Sequence, residues 1–202
     1  EDGRLGRGLD AVSCGVCPDL GTVPGFESCR LTSVAAGAHS AVVSPTDRLY
    51  VWGTFLAQSS SPEQQNDEEE EVEMLVEPAM QPTPFAVHDV RCGRFVTLAL
   101  TAEGSLFAWG PNEGCQTGVP TDAAVVKSLT KLKVPQKSPV VQMALGEYHG
   151  LALTAEGGLL VWGEAQGPEV GIASQALDDP KLRGLLPSSL SFKQPEPRRL
   201  EM

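Results

Sequence analysis

Three times the chain repeats nearly the same run of residues, and each copy ends in Trp-Gly. The copies run from Val34 to Gly53, from Val90 to Gly110 and from Met143 to Gly163. Their tryptophans fall at 52, 109 and 162, so the period is 57 and then 53 residues. A repeat of that size built from short strands points to propeller blades rather than to one folded core. The expected fold class is therefore all-β: a partial β-propeller of three recognisable blades and flanking part-blades, each blade a four-stranded antiparallel sheet.

Inside each copy the pattern resolves into three short strands. The first is expected over Leu31 to Ala36, Ala86 to Cys92 and Val140 to Leu145. The second is expected over Ala41 to Ser44, Val96 to Thr101 and Leu151 to Thr154, and the third over Leu49 to Trp52, Leu106 to Trp109 and Leu159 to Trp162. Small and β-branched residues alternate in runs of about five, which favours strand over helix. Ala102-Glu-Gly104 and Ala155-Glu-Gly157 are good turn sequences between the second and third strands, and Pro45-Thr-Asp47 substitutes for them in the first copy. A fourth, outer strand is expected from the variable stretch before each copy, and a short helix over Asp122 to Leu132.

The repeated residues read as frame rather than chemistry. Gly37, Gly93 and Gly146 end a strand where the chain turns, and Gly53, Gly110 and Gly163 follow a large ring. Trp52, Trp109 and Trp162 read as packing between blades rather than as ligand-stacking rings. His39 and His149 share one slot, where a structural hydrogen bond to neighbouring backbone is favoured over catalysis.

Charge and cysteine usage narrow the function classes. The net charge is -11, yet eight acids and no base lie between Ser59 and Glu77, five of the acids consecutive, so the acidity belongs to one segment. Residues 58–77 are expected to be a solvated, disordered insertion. Such a chain is a poor direct ligand for a phosphate backbone, so no nucleic-acid contact is expected from this segment. There is no run of about 18 apolar residues, which argues against a spanning helix and a membrane partner. The five cysteines form no dense framework, which suits a reducing compartment. Cys14-Gly-Val-Cys17 with Cys29 and His39 supplies four zinc ligands on paper, but with a single tight pair the favoured reading is free thiols and no metal. The start lacks an initiating Met and an apolar signal region, so the chain is expected to begin inside a longer protein. No phosphate-binding loop, nucleophile elbow or metal cluster occurs, and no cofactor or bond-making enzyme is expected.

The third copy, Gly146-Glu-Tyr-His149 with Leu151-Ala-Leu-Thr-Ala-Glu-Gly157 and Leu160-Val-Trp-Gly163, resembles the repeat of the regulator of chromosome condensation family, and Asp2 to Gly6 resembles the tail of an earlier repeat. The resemblance implies a seven-bladed propeller, of which this chain would hold residues 1–57 as a preceding tail and first blade. It would hold 58–77 as the insertion, 78–118 as the second blade, 119–167 as a connection and third blade, and 168–202 as the irregular start of the next. Trp52-Gly-Thr-Phe55 followed by an insertion is similar to the place where a Ran guanine-nucleotide exchange factor of this family carries a wedge. On that likeness Phe55, Leu56, Ala57 and Gln58 would form the wedge, and Arg94, Phe95, Glu147 and Tyr148 the adjoining GTPase-binding face. The family's contacting acids beside the first glycine are replaced here by Ala38 and by Arg94-Phe95, and Glu147 alone keeps one. The implied partners are a Ran-type GTPase and, as an alternative scaffold role through the acidic insertion, histones or another basic protein. The implied location is nuclear, with the cytoplasm as the alternative.

Overall fold

A computed structural model of the protein describes residues 4–7, 21–56, 72–135, 138–165 and 192–199. The described residues form twelve strands: β1 (Ser33–Ala36), β2 (His39–Val43), β3 (Leu49–Leu56), β4 (Val72–Met80), β5 (Asp89–Cys92), β6 (Thr97–Leu100), β7 (Leu106–Pro111), β8 (Val125–Lys131), β9 (Val140–Leu145), β10 (His149–Thr154), β11 (Leu159–Ala165) and β12 (Phe192–Arg199). They pair as three four-stranded antiparallel sheets in the orders β1-β2-β3-β4, β5-β6-β7-β8 and β9-β10-β11-β12. Among the described residues there is no helix, and so none long and apolar enough to cross a membrane.

The hairpins between second and third strands follow one recipe. Ser44, Thr101 and Thr154 each accept a bond at their carbonyl from the residue three positions on, Asp47, Gly104 and Gly157, at 2.9–3.0 Å. That residue is left-handed in all three, with φ of 57°, 79° and 82°. Gly takes this conformation freely and Asp tolerates it better than most side chains, which explains why Pro45-Thr-Asp47 substitutes for Ala-Glu-Gly.

The fourth strand is where the sequence reading needs correction. It follows Trp-Gly instead of preceding each copy: β4, β8 and β12 pair with β3, β7 and β11 of the same sheet. The acidic insertion therefore gives up its last residues, from Val72, to β4, and its part over 58–71 lies outside the described residues. The helix expected over Asp122 to Leu132 is strand β8, whose Val126 is buried and whose Val-Val-Lys-Ser-Leu-Thr-Lys run suits a half-buried edge. Blade two thus runs on to Lys131, past the expected boundary at 118. Phe192–Arg199, expected as irregular chain opening a further blade, closes the third sheet. The third strands also run on past Trp-Gly, because in each sheet the ladder is offset at that point. The step from Val51 to Gly53 faces the longer stretch from Ala79 to Leu75, with matching offsets at Ala108/Gly110 and Val161/Gly163.

The core lies between blades rather than within them. Ala41, Val43, Leu49 and Val51 of the first sheet meet Val87, Val90, Ala99 and Trp109 of the second. Leu98, Leu100 and Leu106 of the second meet Met143, Ala152, Leu160 and Trp162 of the third. Each tryptophan beyond the first packs on the blade before it. Leu98, Leu106 and Leu160 are wholly buried, and each such side chain contributes about 1.5–3 kcal/mol. Arranged this way, each sheet owes its stability to its neighbours.

Candidate functional site

The inner strands β1, β5 and β9 lie side by side and bring three loops to one end of the molecule. A methyl at Gly37 would run into the Gly93 carbonyl, and one at Gly93 would come within 2.6 Å of the Gly146 carbonyl oxygen. The Ala38 amide donates to the Gly93 carbonyl at 3.3 Å. None of these three glycines has positive φ; close approach between neighbouring blades is what requires Gly37 and Gly93, whereas Gly146 lies against the His149 ring of its own blade.

On this frame the residues after each glycine surround an open depression of about 880 Å³. Ala38, Arg94, Phe95 and Glu147 line it, together with Arg4 and Thr54. The Arg94 guanidinium reaches across the blade boundary: Nη1 donates to Glu147 Oε1 at 2.6 Å and to the Tyr148 hydroxyl at 3.2 Å. Its Cζ lies 5.5 Å from the centre of the Phe95 ring. Phe95 and Tyr148 are 36% and 41% exposed. The bond to Glu147, seconded by Tyr148, raises the Arg94 pKa. The Tyr148 hydroxyl first, and Arg94 after it, hold the Glu147 carboxyl below its ordinary range. Both charges are solvent-exposed, so the pair is a weak, displaceable contact. Beneath them Cys92 is buried, which pushes its thiol up to about 12 and leaves it protonated and unreactive.

The four residues expected on a binding face are thus brought together. Of the expected wedge, Phe55 and Leu56 continue strand β3, with backbone partners Glu73 and Val72, so no loop begins there; Ala57 and Gln58 lie outside the described residues. Thr54 carries this strand onto the rim of the depression.

The remaining repeat residues are structural. His39 is wholly buried, and its Nε2 lies 2.6 Å from Thr97 Oγ1 in the next blade, a side-chain partner beyond the backbone one expected. Burial pushes its pKa down to about 4, leaving the ring neutral. Cys14 and Cys17 lie outside the described residues. His149 packs its ring against Gly146. The indole N–H of Trp52 donates to the Arg4 carbonyl at 2.8 Å and that of Trp162 to the Gln116 carbonyl at 3.0 Å. Each acceptor stands two residues before a left-handed glycine, Gly6 (φ 64°) and Gly118 (φ 70°). Gly53, Gly110 and Gly163 also have positive φ, and a methyl at Gly110 would lie 2.6 Å from the Phe95 carbonyl. Sequence reasoning missed Arg4, Thr54, Thr97 and Gln116. The shared spacing to Gly6 and Gly118 was the available signal for two of them.

Comparison with known proteins agrees with this geometry. Residues 103–153 match the regulator of chromosome condensation (RCC1) repeat. The chain is 31% identical over 156 residues to the RCC1 domain-containing protein RUG3, mitochondrial, of Arabidopsis thaliana, covering 72% of this chain and 33% of that protein. It is 28% identical over 187 residues to the guanine nucleotide exchange factor SRM1 of Saccharomyces cerevisiae, covering 89% of this chain and 37% of that protein. The crystal structure of Prp20p from Saccharomyces cerevisiae, described with its binding properties to Gsp1p and histones, superposes with a TM-score of 0.65 at 25% identity, covering 88% of this chain and 40% of that one. The chain spans about a third of the length of the curated relatives it matches.

Proposed function

The chain belongs to the regulator of chromosome condensation repeat family, and from that premise we propose that it is part of a guanine-nucleotide exchange factor for a Ran-type small GTPase. The observation that carries the reading is the convergence of Arg94, Phe95, Glu147 and Tyr148 on one exposed rim, beside the strand that leads through Thr54 to Phe55 and Leu56. Ala57 and Gln58 would follow at the wedge. The mechanism is differential binding: a face that prefers the nucleotide-free GTPase weakens the nucleotide's hold by the same factor, with no bond made or broken.

Release of a fluorescent GDP analogue from Ran tests this with the full-length protein. Acceleration that saturates with exchange factor is the expected result; unchanged release at every concentration removes the reading. A second role, holding a basic protein such as a histone, draws on the net charge of -11 and its concentration between Ser59 and Glu77. Deleting residues 59–71 separates the two, since exchange should survive it and a basic partner should be lost. The family resemblance favours a nuclear location, and a mitochondrial relative makes imaging of the tagged full-length protein the deciding observation.

A further inference from the structure

The loop-bearing end holds two opposed charge signals. At long range the chain, at -11, attracts basic surfaces. Among the described residues the charged side chains at the rim are Arg4, Arg94 and Glu147, and the one acid of these is covered by Arg94. A basic partner steered here meets an arginine where it needs a carboxylate. The cover is a single exposed ion pair supported by the Tyr148 hydroxyl, so another cation can displace it. The Phe95 ring, already 5.5 Å from the guanidinium carbon, gives the displaced arginine a second resting surface.

We propose that Arg94 is a gate on this face: it occupies Glu147 and Tyr148 in the free protein, and a partner docks by presenting a lysine or arginine that takes its place at Glu147. This rests on the reading of the loop-bearing end as the docking face. Arg94 is then a specificity-determining residue: a partner lacking a cation at this point leaves the Arg94–Glu147 pair in place and gains nothing from Glu147. The carboxylate exchanges one cation for another, so Glu147 contributes little net affinity while Arg94 is present.

The experiment is a double-mutant cycle in the full-length protein with Arg94→Ala, Glu147→Gln and their combination, at fixed ionic strength. Each protein is titrated with nucleotide-free Ran and, separately, with a pentalysine peptide. Arg94→Ala should bind both probes about two- to fivefold more tightly, the range an exposed ion pair commands. Glu147→Gln alone should change little, and in the Arg94→Ala background it should remove the gain. A structural role for Arg94 would give additive effects and a shifted melting temperature instead. Weaker or unchanged binding in Arg94→Ala, or a gain that survives Glu147→Gln, overturns the gate. If no variant binds Ran, the exchange reading fails; the pentalysine cycle still decides the gate, which stands only if the gain and its loss appear there.

Discussion

The seam between the first and second blades and the seam between the second and third are cut from the same repeat but fastened differently. The first is closed by a buried, neutral contact, His39 to Thr97 at 2.6 Å. The second carries an exposed ion pair, Arg94 to Glu147, at the same distance. Equal distances do not mean equal consequences. A buried polar contact is strong because neither partner can turn to water, whereas an exposed one always has water as a rival. The first seam is therefore a structural joint, and the second leaves its charged groups free for recognition. Trp109 and Trp162 divide the seams a second way. Trp162 donates to the Gln116 carbonyl, whereas the buried Trp109 indole N–H has no hydrogen-bond partner among the described residues.

Acid should open the largest gap between the seams. An unfolded histidine takes up a proton near pH 6.5, but buried His39 does so only at about 4. The unfolded chain binds the extra proton in that window, so stability held above pH 6.5 is lost as the pH falls towards 4, by up to about 3 kcal/mol from this one residue. Denaturant unfolding between pH 7 and 4 measures it. His39→Gln should flatten the slope whatever it does to the absolute stability, and an unaltered slope would mean that His39 is not the group responsible.

The tryptophans offer a smaller contrast. Trp162→Phe strands the Gln116 carbonyl, while Trp109→Phe removes an N–H without a partner among the described residues. The former should cost about 1–2 kcal/mol more in parallel urea titrations. Equal losses would show that the Gln116 bond contributes nothing net. The smallest effect is expected at the exposed pair. Arg94→Ala should leave the melting temperature unchanged within error, with or without salt, which would confine its role to partner choice.

What could be read in the sequence follows from how tightly each element is constrained. The inner three strands of each blade are packed on neighbours, and burial keeps runs such as Val96 to Thr101 and Leu151 to Thr154 short and mostly apolar. The outer strands are edges, free to carry Pro78, Pro195 and Pro197 and many charges, so β4, β8 and β12 leave no periodic trace. The rim residues Arg94, Phe95, Glu147 and Tyr148 stood out because they break the repeat beside a glycine. The bond between Arg94 and Glu147 was invisible, since it joins residues 53 apart through a contact of glycine backbones that spacing alone does not reveal. Thr97 was missed for a related reason: as partner to His39 it belongs to a different copy, and no comparison of the copies with one another pairs them.

The tryptophan sockets carry a wider consequence. Trp52 and Trp162 are held by the carbonyls of Arg4 and Gln116, groups that every residue possesses. A coupling made from the peptide unit is indifferent to the side chain that supplies it, provided the glycine two places on allows the bend. Such a coupling is interchangeable. A unit could be duplicated, lost or transplanted at these points and find a fitting socket on its new neighbour, which suits the architecture to growth by copying whole units.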